Sequence, residues 1–191
     1  MPIKDLRYKN LDSLIKMNLS KEEDLETKEL IKKLRPAKVR GWLSKSELTD
    51  ICYWKSPRAI RHIKANTSTK IKQQTTAAFS TRSEQGKIAK LTSLKGVSIP
   101  MASAILMLTN PKRYGVIDIR VWEVLYEIGT MTTNPKGINF NFKEWYRLLI
   151  TLRYFSNKYK VSVRDVERTI FLVHRKYQDG VLYQNLKSNK E

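Results

Sequence analysis

Residues 94–100, Leu94-Lys95-Gly96-Val97-Ser98-Ile99-Pro100, decide how this chain folds; eighteen positions beyond Pro100, Val116-Ile117-Asp118-Ile119-Arg120-Val121-Trp122 supplies the most informative carboxylate. Leu94 and Val97 bracket a glycine that can take backbone angles closed to other residues, so Lys95 to Ser98 form a tight turn. Pro100 lacks an amide hydrogen and its φ is already helical, which suits the start of a helix. The following run, Met101-Ala102-Ser103-Ala104-Ile105-Leu106-Met107-Leu108, is apolar at spacings of three and four. Before the turn, Ile88, Leu91 and Leu94 repeat that spacing, so a helical hairpin is predicted over about residues 85–109. The amides of Gly96, Ser98 and the first residues of the second helix point outward, and with the helix dipole they favour an anion such as phosphate. The same spacing also fits an ordinary hairpin inside a core.

Charge bears on that choice. The 191 residues include 37 Lys or Arg against 18 Asp or Glu, a formal net charge of +19, and the natural partner of such a surface is a polyanion, nucleic acid foremost. No basic amphipathic helix or lipidation signal points to a membrane. The longest apolar run, Met101 to Leu108, is far short of the roughly 20 residues that span a bilayer. The first twenty residues alternate charges with single aliphatics, unlike a secretory signal, and an intracellular location, cytoplasmic or nucleoid-associated, is expected. One cysteine, Cys52, leaves no internal disulfide, no cysteine zinc site and no iron-sulfur cluster held by one chain, and is read as a small core residue. His62 and His174 have no partner at metal-ligand spacing, so no catalytic metal is expected.

Apolar residues recur mostly at helical spacing, without an internal repeat, and the fold class is read as all-α. Four cap signals, Ser20 with Glu23, Ser44 with Glu47, Asn141 with Glu144 and Ser162 with Asp165, anchor helices predicted at about 5–17, 21–34, 46–54, 57–65, 69–80, 85–94, 100–109, 119–129, 142–159 and 163–178. Breaks are expected at Arg35-Pro36, Ser56-Pro57, Asn66-Thr67, Asn110-Pro111 and across 129–141, with a flexible tail at 181–191. The final two helices should bury Trp145, Leu148, Leu149, Leu152, Phe155, Val166, Ile170 and Val173. Residues 143–176 also carry nine Lys or Arg against three acids, read as a solvated face.

The hairpin together with Asp118 resembles the helix-hairpin-helix DNA glycosylases related to endonuclease III, most closely over residues 88–126. Leu94, Lys95, Gly96 and Val97 fit the family hairpin, and Ser98 stands where its second glycine would, a replacement that makes an unusual backbone angle more costly. Asp118, following the strand-like run Tyr114-Gly115-Val116-Ile117, corresponds to the family's aspartate at the start of the next helix. The resemblance implies a two-lobed helical domain over 1–180, with about 1–45 and 110–180 in one lobe and about 46–109 in the other. It implies a DNA repair enzyme that removes a damaged or mismatched base from double-stranded DNA, as a monomer. Lys95, Gly96, Val97, Ser98, Ile99, Met101 and Arg120 would contact DNA, and backbone carbonyls of Thr92, Leu94 and Val97 would hold a structural monovalent cation. Bifunctional members carry a nucleophilic lysine where this chain has Pro100. Strand cleavage through a Schiff base should therefore be absent or weak, unless Lys55 or another lysine reaches the pocket from a different helix.

Breaking a bond between base and deoxyribose builds positive charge on the sugar, which a neighbouring carboxylate stabilises, and Asp118 is the expected catalytic residue. Aspartate at a helix start is also a common N-cap. The base must leave the duplex to be reached. Tyr53, Trp54, Lys55 and Arg58, around a helix break, are base-pocket candidates, with Trp42 a weaker one. Trp122, one turn beyond Asp118, is expected to pack its helix in place. A non-catalytic helix-hairpin-helix DNA-binding protein is the alternative, and an RNA-binding protein a third.

Overall fold

The computed structural model describes residue 3 and residues 6–178; the expected tail at 181–191 lies outside them. Among the described residues there are ten α-helices and one 3-10 turn, with no strand: α1 (Leu11–Asn18), α2 (Leu25–Arg40), α3 (Lys45–Lys55), the 3-10 turn Pro57–Ala59, α4 (Ile60–Lys64), α5 (Ser68–Ser80), α6 (Glu84–Thr92), α7 (Ile99–Thr109), α8 (Ile119–Glu127), α9 (Phe142–Tyr159) and α10 (Val163–Tyr177). The fold is all-α.

Ser44 with Glu47, Asn141 with Glu144 and Ser162 with Asp165 form reciprocal capping boxes that start α3, α9 and α10. Ser20 with Glu23 does not. Glu23 is drawn across to α10, where Arg164 Nε donates to it at 2.7 Å and Arg168 Nε lies 2.9 Å away, so α2 starts instead behind Asp24, which accepts the Thr27 amide. Helix α1 begins at Leu11 and not near residue 5, because Asn10 and Ser13 cap each other there. Pro36 was expected to end α2, yet the helix runs on to Arg40 and closes on Gly41 in the left-handed conformation at φ +80°. Proline removes one amide and leaves the Lys32 carbonyl open, but Pro36 is exposed, so water can serve that carbonyl while Leu34 and Ala37 on the opposite face stay buried. The expected helix at 57–65 is split into the 3-10 turn and α4.

Helix α7 forms the centre. Met101 through Thr109 are all buried, as α2, α3, α6 and α9 pack around it, which a helix apolar on every side requires. Helix α10 packs on α8, α9 and α1, and α5 lies against α6. Trp145, Leu148, Leu149, Leu152, Val166, Ile170 and Val173 are buried, with Phe155 partly so. The basic run of the last two helices is not wholly solvated, contrary to expectation. Arg164 is buried, bonded to Glu23 and to the fully enclosed Glu167. Burial pushes the Glu167 carboxyl up from its ordinary value, a rise that Arg164 opposes and the nearby Asp118 charge adds to. Cys52 is a core residue, its thiol pushed up by burial.

Candidate functional site

At the turn between α6 and α7, Gly96 has φ +81°, and a Cβ added there would lie 2.8 Å from the His62 Cβ and 3.1 Å from the Ile63 nitrogen. Only glycine fits. The hairpin is clamped from outside by Asn66, a buried side chain that accepts the Lys95 amide at 2.9 Å and donates to the carbonyls of Lys95 at 2.9 Å and Ile63 at 3.0 Å. Ser98 does not take the unusual backbone angle that the comparison with a glycine would suggest: at φ −81° and ψ 173° it is extended, and it precedes α7 as an N-cap whose hydroxyl makes no capping bond. The first amides of α7 are thus left without a side-chain partner, open to an anion. Lys95 is exposed beside them.

Asp118 is placed by buried neighbours. Val116 and Ile117 are in the core, and the Ile117 amide donates to Ser103 Oγ of α7 at 3.1 Å while that hydroxyl donates to the Pro100 carbonyl at 2.8 Å. Gly115 permits this approach, since a Cβ there would come within 2.7 Å of Leu152 and 2.8 Å of Glu167. The Asp118 side chain then caps α8, accepting the Val121 amide on Oδ1 at 3.1 Å, while Oδ2 faces Lys55 Nζ, the last residue of α3, at 3.4 Å. Both side chains are partly exposed, 16% for Lys55 and 18% for Asp118.

They open into a cleft of about 470 Å³, within the usual range of roughly 300–1,000 Å³ for small-ligand pockets. The hairpin turn, Pro100 and Met101 form one wall, Lys55 to Ala59 another, and Gly137 to Phe140 the third. Arg120 lines it too, its guanidinium 5.5 Å from the Phe171 ring and its Nε shielded with no acceptor. The cleft therefore holds one carboxylate among Lys55, Arg58 and Arg120. Of the base-pocket candidates, Lys55 and Arg58 are here and the three aromatics are not. Tyr53 faces solvent, Trp54 donates from Nε1 to Thr27 Oγ1 at 2.9 Å, and Trp42 lies under Arg40 and Lys72 at 4.3 and 4.7 Å. Their positions next to a helix break carried no information about which way each ring turns. Trp122 is buried, its Nε1 donating to the Asn134 carbonyl at 2.9 Å and its ring edge-on to Phe140. The loop Gly137 to Phe140 and Asn66 were missed; each matters through partners distant in sequence, Ile119 and Trp122 for the loop and Lys95 for Asn66.

A larger cavity, about 610 Å³, sits at the other end of α7, lined by Lys38, Arg82, Lys87 and Arg113 among others. Its only carboxylate, Glu84, is tied to Arg153 at 2.7 Å and to the Tyr114 hydroxyl at 3.1 Å. Burial, with the Glu84 charge, pushes that hydroxyl up to about 12. Glu84 is held closely on both sides, whereas Asp118 Oδ2 has only Lys55 at the longer distance of 3.4 Å, so the Asp118 cleft keeps the more available carboxylate despite its smaller size. Among the described residues no three His, Cys, Asp or Glu side chains gather as metal ligands. His62 is exposed; His174 is buried with Nε2 2.7 Å from Glu123. Of the three carbonyls considered for a monovalent cation, that of Leu94 already accepts the Val97 amide at 3.1 Å, which still leaves it a second lone pair. No helix of the described residues is long and apolar enough to cross a membrane. No protein-family model, curated protein or solved structure matches this chain.

Proposed function

We propose that this protein is a DNA glycosylase of the helix-hairpin-helix type, which hydrolyses the bond between deoxyribose and an extruded, damaged or mismatched base and leaves an abasic site. One observation carries the reading: the carboxylate of Asp118 opens into the same cleft that the hairpin turn walls, with Lys55 3.4 Å away. The turn amides and the start of α7, with Lys95, grip the sugar-phosphate strand. That brings the sugar of an extruded nucleotide to Asp118.

As the bond to the base lengthens, its electron pair leaves with the base and positive charge grows on the sugar ring. Asp118 stabilises that charge. A water then adds to the anomeric carbon and loses its proton, which in net terms the departing base takes up. Asp118 Oδ1 is already engaged with the Val121 amide, so Oδ2 is the oxygen that faces the sugar, and Lys55 sets its direction. Arg120, Lys55 and Arg58 neutralise phosphates on either side, as Coulomb attraction in a half-enclosed site favours.

Asp118→Asn tests the reading. Asparagine caps a helix about as well as aspartate, so the fold and DNA affinity should persist. Base release from duplexes carrying single defined lesions should fall by at least about a hundredfold, the scale of losing one preorganised electrostatic contact. Undiminished release by the variant would refute catalysis by Asp118. A panel on which the wild type releases no base would leave the non-catalytic DNA-binding reading, and tighter binding of structured RNA than of duplex DNA at matched salt would favour the RNA-binding one.

A further inference from the structure

Base hydrolysis at Asp118 makes no use of the cavity at the far end of α7. That helix has 11 residues, so about 16 Å at the helical rise separates the cavity from the hairpin turn, and the cavity shares no lining residue with the Asp118 cleft. Its volume, about 610 Å³, suits a small ligand.

The charge of this cavity is one-sided. Lys38, Arg82, Lys87 and Arg113 line it, and none of the four is paired with a carboxylate among the described residues. Lys38 Nζ donates instead to the Asn110 side chain at 3.2 Å and Lys87 Nζ to the Thr81 carbonyl, neutral acceptors that position each amine and leave its charge uncompensated. Glu84, the single acid, adds no net negative charge, because Arg153 neutralises it at 2.7 Å. The same arginine fixes the loop that carries Arg113, donating from Nε to the Arg113 carbonyl at 3.1 Å. Four like charges held around one hollow repel each other, and a polyanion seated among them removes that penalty.

The rest of the lining is of another kind. Leu106 and Tyr114 are buried and Phe79 is half-buried, whereas Lys38, Arg82 and Arg113 are exposed. An apolar, aromatic floor thus lies beneath a cationic rim. Phosphate alone would use the rim and leave the open part of the Phe79 ring in water. A ligand that answers both parts joins a phosphate chain to a flat ring.

We propose that this cavity is a second ligand site that takes a free nucleoside phosphate, its phosphates among Lys38, Arg82, Lys87 and Arg113 and its base against Phe79. With its carboxylate held by Arg153 and the Tyr114 hydroxyl, the site binds and carries no reaction. Occupancy here is independent of any chemistry at Asp118.

Isothermal titration calorimetry of the full-length protein at roughly 0.15 M salt, without divalent metal, tests the site with ATP, tripolyphosphate and adenosine. ATP should bind at one per chain and about tenfold or more tighter than tripolyphosphate, which carries at least as much charge and lacks the ring; adenosine should bind more weakly still. Lys38→Gln with Arg113→Gln should weaken ATP about tenfold, the scale of losing charge-assisted contacts to phosphate. Lys32→Gln with Lys90→Gln removes the same charge from exposed positions outside the cavity and should leave ATP affinity unchanged. Phe79→Leu keeps an apolar filler and should bring ATP down toward tripolyphosphate, with circular dichroism melting as the check on folding of every variant. Absence of saturable ATP binding, tripolyphosphate binding as tight as ATP, or equal losses in the two double variants overturns the proposal. Saturating undamaged duplex DNA should leave ATP bound; displacement of ATP by the duplex would put the cavity on a polynucleotide footprint and overturn the free nucleotide as its occupant.

Discussion

Lys55 and Asp118 meet across 63 positions of sequence, and what they do depends on the amine as much as on the acid. Pro100 supplies no amine at the hairpin, whereas α3 brings one to the cleft. Lys55 Nζ faces the Asp118 carboxylate at 3.4 Å, an ion pair in which it orients the acid and is not presented as a nucleophile. Borohydride treatment of the protein on preformed abasic duplex should therefore trap little covalent complex, and Lys55→Arg should leave that yield unchanged. Efficient trapping that maps to Lys55 by mass spectrometry would instead make the protein a lyase. Gly96 and Asp118 could be read from the sequence because their meaning is local, a turn angle and a helix start. Tyr53 and Trp54 could not be oriented, since one helix residue of rotation separates solvent from core. Ser103 and Asn66 were invisible: a small polar residue in an apolar helix and an asparagine at a break acquire their roles only from backbone groups 14 and 29 positions away.

The hairpin is one element whose precision comes from another. Asn66, at the end of α4, satisfies both the amide and the carbonyl of Lys95. Asn66→Ala would strand those groups in a partly buried turn, and unfolding in urea should show a loss of roughly 1–3 kcal/mol, the usual penalty for unpaired polar groups left in place. The loss should fall on phosphate binding as well, because the turn would no longer be held at one angle. No change in stability would mean that water replaces the side chain. At this scale the helices were legible wherever caps and breakers act within a turn, as at Ser44, Asn141 and Ser162. The start of α2 was not, because Glu23 had a stronger offer from two arginines on α10, and Pro36 misled because its helix needs only one buried face there.

At the scale of the whole molecule, several of the 18 acids are engaged in internal ion pairs among the described residues. Asp12, Glu23, Glu47, Asp50, Glu84 and Asp118 each pair with a Lys or Arg. Most of the +19 excess is therefore left facing solvent. For a protein that touches six or more phosphates, duplex affinity should fall by about a thousandfold or more between roughly 50 and 200 mM salt. Fluorescence anisotropy across that range measures the slope. A shallow slope would mean that the charge is dispersed and does not converge on one footprint. Composition announced the sign of this surface, but not its layout, which follows from which carboxylates the fold consumes.

Gly115 ties this scale to the first. Its backbone is wedged against Leu152 of α9 and Glu167 of α10, three residues upstream of the Asp118 carboxylate. The aspartate is thus indexed to the C-terminal helix pair, and any drift that re-spaces those two helices shifts the acid without touching the cleft. Under the proposed hydrolysis, selection on the chemistry extends into what looks like remote scaffolding, and a laboratory-evolved change of substrate would first register as a repacking between α9 and α10.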